Sequence, residues 1–202
     1  MITVRHRINT IEELLQVDST YGVEIDLRSQ NQGIIMSHDP YTFDSTLFSE
    51  WIKFYKHSML ILNIKEEGIE QKVFEIIRNA NIKDFFFLDQ SFPFIIKTLV
   101  SGESRTAIRF SDYESFNTLE RAFYIPQPTP NWVWVDSFTG NWEHLAELPK
   151  IKSMGYKVCL ASPELHQRSL NRELDYILEN TDFTQIDAVC TKIPEKWASQ
   201  PD

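Results

Sequence analysis

Glu24 and Asp26 stand two residues apart inside the apolar run Val23–Leu27. Side chains alternate along a strand, so both carboxylates fall on one face. Two like charges there repel each other and resist desolvation, and a divalent cation relieves both costs. His38, in the triplet His38-Asp39-Pro40 that begins twelve residues after Asp26, adds a group that titrates near neutral pH. His6 and Arg7 close the first apolar run. Two histidines, two acids and an arginine suit metal-assisted chemistry on a phosphoester. The competing reading is a buried ion-pair network in which Arg7, Lys65 or Arg109 neutralises Glu24 and Asp26, at a cost in desolvation.

These residues need a frame that brings them together. Eight apolar, β-rich runs recur: Ile2–His6, Val23–Leu27, Met59–Ile64, Phe85–Leu88, Ala107–Phe110, Trp132–Val135, Lys157–Ala161 and Ala188–Thr191. Seven helical stretches lie between them, at Thr10–Val17, Ser45–Lys56, Glu67–Ala80, Phe94–Ser101, Tyr113–Phe123, Trp142–Met154 and Gln167–Asn180. This alternation predicts an α/β fold, a short (β/α)₈ TIM barrel forming one domain over residues 1–202. An open doubly wound sheet is the rival. Gly33–His38 reads as a small hairpin insertion after the second strand, and Tyr124–Asn131, with its three prolines, as a stiff loop. Only a vestigial last helix fits into Ile193–Asp202.

A barrel makes a demand on the sequence, because its active sites lie at the C-terminal ends of the strands. Polar groups accumulate there: His6-Arg7, Glu24 and Asp26, Asn63 and Lys65, Asp89, Arg109, Asp136, Glu164 and Lys192. Solvated loop starts account for some of these, but not for Glu24, Asp26, Asn63 and Lys65 within apolar runs. Phe85-Phe86-Phe87, Trp132 and Trp134 read as core, and Phe92-Pro93-Phe94 as a loop that could line the pocket. His57, His144 and His166 read as surface residues.

Composition narrows the function classes. A net charge of −9 argues against nucleic acid as a partner, while leaving room for one small anionic ligand in a locally basic pocket. No apolar run approaches the ~20 residues of a membrane span, and the first residues lack the apolar core of a secretory leader, so a cytoplasmic location is expected. Cys159 and Cys190 sit in apolar runs and read as reduced, buried thiols. Barrels commonly dimerise through apolar helix faces, which leaves a homo-oligomer open.

The ordered set His6-Arg7, Asn9-Thr10-Ile11-Glu12, Gly22-Val23-Glu24-Ile25-Asp26-Leu27-Arg28, His38-Asp39-Pro40 and Asn63-Ile64-Lys65 resembles the glycerophosphodiester phosphodiesterases, within the phospholipase-C-like phosphodiesterase barrels. The resemblance is specific over the first third of the chain and rests on the strand pattern beyond it. It implies a phosphodiesterase in which Glu24, Asp26 and Asn63 ligate Mg²⁺ or Ca²⁺, His6 and His38 form the acid–base pair, and Arg7 neutralises phosphate oxygens. Lys65 adds positive charge to the phosphate pocket, with Arg109 and Lys192 as further phosphate-binding candidates. The implied partner is a small or glycan-linked phosphodiester.

The sequence departs from the family pattern at Ile8, where the family has glycine, and at Ser37, where it has the first of two histidines. Asn63 stands in place of the third metal carboxylate. An amide oxygen still ligates a hard cation, with less charge. These departures keep two alternatives in view: a metal-independent phosphodiesterase or lyase on the same barrel, and a phosphate-ligand-binding protein of weakened turnover.

Overall fold

Alternation along short apolar strands builds this molecule. The computed structural model describes residues 1–31, 33–42, 45–124 and 128–197. Its strands are β1 (Ile2–Arg5), β2 (Gly22–Gln30), β3 (Gly33–Met36), β4 (Leu60–Ile64), β5 (Phe85–Leu88), β6 (Ala107–Phe110), β7 (Trp132–Val135), β8 (Lys157–Ala161) and β9 (Ala188–Thr191). Eight of them run parallel in the order β5-β4-β2-β1-β9-β8-β7-β6. A parallel bridge between Phe87 and Thr106, with the Phe87 N–H donating to the Arg105 carbonyl at 2.9 Å, nearly closes the sheet on itself. The expected (β/α)₈ barrel is the fold, and the open sheet is not. β3 is the expected hairpin, antiparallel to the far end of β2 with Leu27 opposite Met36.

The helices are α1 (Ile11–Gln16), α2 (Phe48–Trp51), α3 (Glu70–Asn79), α4 (Phe92–Val100), α5 (Phe116–Phe123), α6 (Leu148–Ser153) and α7 (Leu170–Asn180). A capping box starts α1: the Thr10 hydroxyl accepts from the Glu13 N–H, and Glu13 reaches back to the Thr10 N–H. Three expectations need correction. Phe92-Pro93-Phe94 is the first turn of α4 rather than a loop, because proline is well suited to a helix start. Trp142–Met154 divides into a 3₁₀ turn, Glu143–Glu147, and α6, which begins just before Pro149. Ser45–Lys56 shrinks to α2 and one 3₁₀ turn; Leu47 at its N-cap offers no capping side chain, and burial of Phe48, Trp51 and Ile52 holds it in place. The last helix is the vestige expected, a 3₁₀ turn at Pro194–Lys196 followed by buried Trp197; residues 198–202, and 125–127 of the proline-rich loop, lie outside the described residues.

Two apolar layers join the barrel to its helices. Val23, Ile25, Leu27, Leu60 and Leu62 face α1–α3, and Ile108, Val133, Val135, Val158 and Val189 face α4–α7. The opposite parity fills the barrel interior with Val4, Ile61, Phe86, Trp132, Trp134, Cys159, Ala188 and Cys190. Phe86 stacks on Trp132 with centroids 4.7 Å apart, so Phe86→Ala would remove about 3–5 kcal/mol. Gly22 is required where β2 enters between its neighbours, since a Cβ there would lie 2.9 Å from the Val4 side chain. Both cysteines are free and buried, and burial pushes their thiols up, which keeps them protonated. The same inward parity, continued one step toward the C-terminal ends, carries polar residues. Asn63 follows Ile61, Arg109 follows Ala107 and Asp136 follows Trp134.

Candidate active site at the barrel mouth

β1, β2 and β4 lie side by side, and their inward residues converge. Glu24 and Asp26 are fully buried on β2, and Asp26 is the register partner of Asn63 on β4. Glu24 accepts from the Arg7 N–H at 2.7 Å through Oε2 and from the Asn63 amide at 2.8 Å through Oε1. Asp26 exchanges two hydrogen bonds with Asn9: its N–H donates to Asn9 Oδ1 at 2.9 Å, and its Oδ2 accepts from Asn9 Nδ2 at 3.0 Å. Asn9 is a site residue to which the sequence assigns no role beyond its place in the family resemblance. Arg7 holds a left-handed backbone, φ 59°, fixed by its own N–H and by the Ile8 N–H, which donates to the Glu24 carbonyl at 2.8 Å. A non-glycine residue in that region carries strain of about 1–3 kcal/mol, and here it turns the guanidinium back to within 3.3 Å of Asp26.

Charge is the main feature of this half of the mouth. Lys65 Nζ lies 3.5 Å from Asp26 Oδ1, and His6 Nε2 lies 3.7 Å from Glu24 Oε2. Burial, then the charge of Asp26, pushes the Glu24 carboxyl up to about 7. His6 is held down to about 3 by burial and then by Arg7, Lys192 and Lys65, so its imidazole is neutral. His38 follows β3 and is 41% exposed at its side chain; its Nδ1 lies 2.7 Å from Asp39 Oδ1. Asp39 is held below the usual carboxylate range by that hydrogen bond and so accepts from His38. Lys192, after β9, is exposed, and its N–H donates to Glu164 at 2.9 Å.

Among the described residues no group of three His, Cys, Asp or Glu side chains converges as a metal site. Two buried acceptors nevertheless lack any hydrogen-bond partner: Asp26 Oδ1 and Asn63 Oδ1, on register-paired residues. Buried oxygens are rarely left so. Carboxylates and an amide oxygen are the donor types that Mg²⁺ and Ca²⁺ take, so Glu24, Asp26 and Asn63 are the residues that could hold such a cation.

Arg109 lies apart from this cluster. Its guanidinium is engaged by Asp89, by Asp136 and, at 3.9 Å, by Glu114. Asp136 also accepts from Trp134 Nε1 at 3.3 Å and pairs with His166 Nε2 at 2.7 Å. His166, His57 and His144 are therefore not simple surface residues. All three are half-buried: His57 bonds the Val17 carbonyl, and His144 stacks on Trp142. Nothing in the sequence near His166 signals its pairing, because Asp136 lies 30 residues away.

The sequence matches no protein-family model and no curated protein. Solved structures similar in fold include the following two. One is a candidate glycerophosphoryl diester phosphodiesterase from Agrobacterium tumefaciens, with TM-score 0.67 at 12% identity over 98% of this chain and 96% of that one. The other is a glycerophosphoryl diester phosphodiesterase from Parabacteroides distasonis, with TM-score 0.64 at 11% identity over 99% of this chain and 87% of that one. Across nearly its whole length, this chain has the barrel fold of those two phosphodiesterases.

Proposed function

We propose that the protein is a metal-dependent phosphodiesterase acting on a small or glycan-linked phosphodiester. The observation that carries the reading is the convergence of His6, Arg7, Glu24, Asp26, Asn63 and Lys65 at one end of the barrel, where buried Asn63 Oδ1 has no hydrogen-bond partner and Asp26 Oδ1 meets only the Lys65 ammonium at 3.5 Å. Glu24, Asp26 and Asn63 would hold the cation, which when bound supplies Lewis-acid stabilisation of the phosphate oxygens. Arg7, Lys65 and Lys192 add positive charge for the same oxygens, Arg7 by a planar fork. His6, neutral and close to Glu24, takes the proton from the attacking hydroxyl. The substrate's negative charge offsets Arg7, Lys65 and Lys192 and so restores basicity to His6 as it binds. His38 carries its Nδ1 proton toward Asp39, which stabilises the imidazolium, and Nε2 delivers a proton to the leaving alkoxide.

One observation favours a second reading on the same barrel. Arg7 and Lys65 already lie within 3.5 Å of Asp26. Two protein cations in that position could serve without a metal. Hydrolysis of glycerophosphodiesters in Mg²⁺ or Ca²⁺ and again in chelator decides between them. Chelator-sensitive turnover supports the metal-dependent enzyme, and undiminished turnover in chelator supports the second reading. Binding without turnover from folded protein overturns both.

A further inference from the structure

Outside the barrel wall, α3 and α4 leave a cavity of about 370 Å³ between them, at the small end of ligand sites. Phe74 of α3, Phe87 of β5 and Phe94 of α4 line it, with Glu70 at the start of α3 and Glu103 in the loop before β6. The two glutamates are only 9% and 7% exposed. Glu103 is already neutralised: it accepts from Arg105 Nε at 2.7 Å and from Nη2 at 2.6 Å. Glu70 accepts from neutral donors, the Gly68 N–H at 2.8 Å and the Gln90 amide at 3.4 Å. Gln90 has better partners, donating to Thr98 at 2.8 Å and accepting from Thr106 at 2.7 Å, so its hold on Glu70 is the weak one. A buried carboxylate oxygen therefore faces three aromatic rings with little to satisfy it. One ammonium already touches this wall. Lys97, itself exposed at the rim of the cavity, holds Nζ 4.1 Å from the centre of the Phe94 ring. Nothing in the phosphodiesterase reading uses these groups.

We propose that this cavity binds an organic ammonium ion, a protonated amine carried on an apolar body of about one ring, with Glu70 as its counter-ion. The ligand's ammonium takes the place of the Lys97 ammonium against Phe94, while Lys97 swings into solvent, and the apolar body packs on Phe74 and Phe87. The charges and rings select this class. An anion meets the Glu70 carboxylate at close range, where little water screens the repulsion. A neutral apolar molecule strips water from Glu70 and returns nothing for it. A bare metal ion leaves the three rings unused. An organic ammonium offsets the desolvation of Glu70, gains from the electron-rich face of Phe94 and buries its apolar body. The site lies outside the barrel mouth and is independent of the phosphodiesterase reading, so the failure of either leaves the other standing.

NMR titration of ¹⁵N-labelled protein at neutral pH with benzylamine, benzyl alcohol and benzoate varies the charge on a single ring. The expected result is saturable amide shifts from benzylamine, strongest over residues 68–74 and 94–103. Benzyl alcohol should bind about tenfold more weakly, and benzoate should leave these amides unmoved. Glu70→Gln keeps an acceptor for the Gly68 N–H and should raise the Kd for benzylamine about tenfold, the loss of one charge-assisted contact. Lys97→Met, a change at an exposed side chain that leaves the fold undisturbed, should lower it about threefold by removing the competing ammonium. No saturable shift at these residues, benzyl alcohol or benzoate bound as tightly as benzylamine, or an unchanged Kd in Glu70→Gln overturns the site. Equal or weaker binding in Lys97→Met overturns the placement of the ammonium on Phe94.

Discussion

Replacing the Glu24 carboxyl by an amide, Glu24→Gln, tests the electrostatics of the site directly. The wild-type carboxyl is fully buried beside Asp26 and pushed from an ordinary 4.5 up to about 7. A raised folded-state pKa means that the folded state is favoured while Glu24 is protonated. That contribution is complete below pH 4.5 and is lost as pH rises through about 7. By pH 8 the loss amounts to about 3 kcal/mol, against less than about 1 kcal/mol at pH 5. The substituted amide stays neutral throughout. It also keeps the local hydrogen bonds: its carbonyl accepts from the Arg7 N–H, and its NH₂ donates to Asn63 Oδ1, which in the wild type has no partner, once the Asn63 amide turns over. Urea unfolding in chelator should therefore show the variant more stable than wild type by about 3 kcal/mol at pH 8, with little difference at pH 5. At pH 8, Mg²⁺ or Ca²⁺ at 1,000 times its Kd should reverse the order, since the cation stabilises only the protein that binds it, by about 4.1 kcal/mol. A difference that is the same at both pH values, or a variant less stable than wild type at pH 8, would refute the argument.

Three further outcomes are expected. Asn63→Asp should tighten Mg²⁺ or Ca²⁺ binding by on the order of tenfold in calorimetry, because it adds ligand charge; an unchanged affinity removes residue 63 from the ligand set. Asn9→Ala should cost about 1–3 kcal/mol in urea unfolding by stranding Asp26, and should weaken cation binding in parallel. The folded pKa of His6 lies below its ordinary 6.5, at about 3, so the stability it contributes is present above 6.5 and is lost as pH falls toward 3. His6→Asn should flatten that acid limb, by up to about 5 kcal/mol, and a limb of unchanged slope would place the acid sensitivity elsewhere.

How far the sequence revealed this arrangement follows from its periodicities. Alternation marks the strands and, through Glu24/Asp26 and Asn63/Lys65, the polar face at their ends; the structure sets Glu24, Asp26 and Asn63 on neighbouring strands and Lys65 just past the end of β4. What alternation cannot supply is which mouth residues meet across the barrel. Arg109 shares the inward parity of Lys65 and reads from it as a phosphate-binding candidate; that Asp89, Asp136 and Glu114 surround it is visible only in the structure. Asn9 stands in the sequence only as part of the family resemblance, and its grip on Asp26 depends on a tertiary turn at Arg7 with a positive φ. His166 sits in a 3₁₀ turn without local pattern, and only the packing of β7 beside β8 brings it to Asp136. Among the described residues no helix is long and apolar enough to cross a membrane, in line with the absence of an apolar run of that length in the sequence.

The most direct test of the central claim is hydrolysis of bis(p-nitrophenyl) phosphate and glycerophosphodiesters by wild type, His6→Ala and His38→Ala, with Mg²⁺ or Ca²⁺ and with chelator. The account predicts metal-dependent turnover that falls about 10²–10⁴-fold in each variant while their unfolding curves stay close to wild type. Turnover that persists in both histidine variants, or none from folded wild-type protein under any of these conditions, would contradict it.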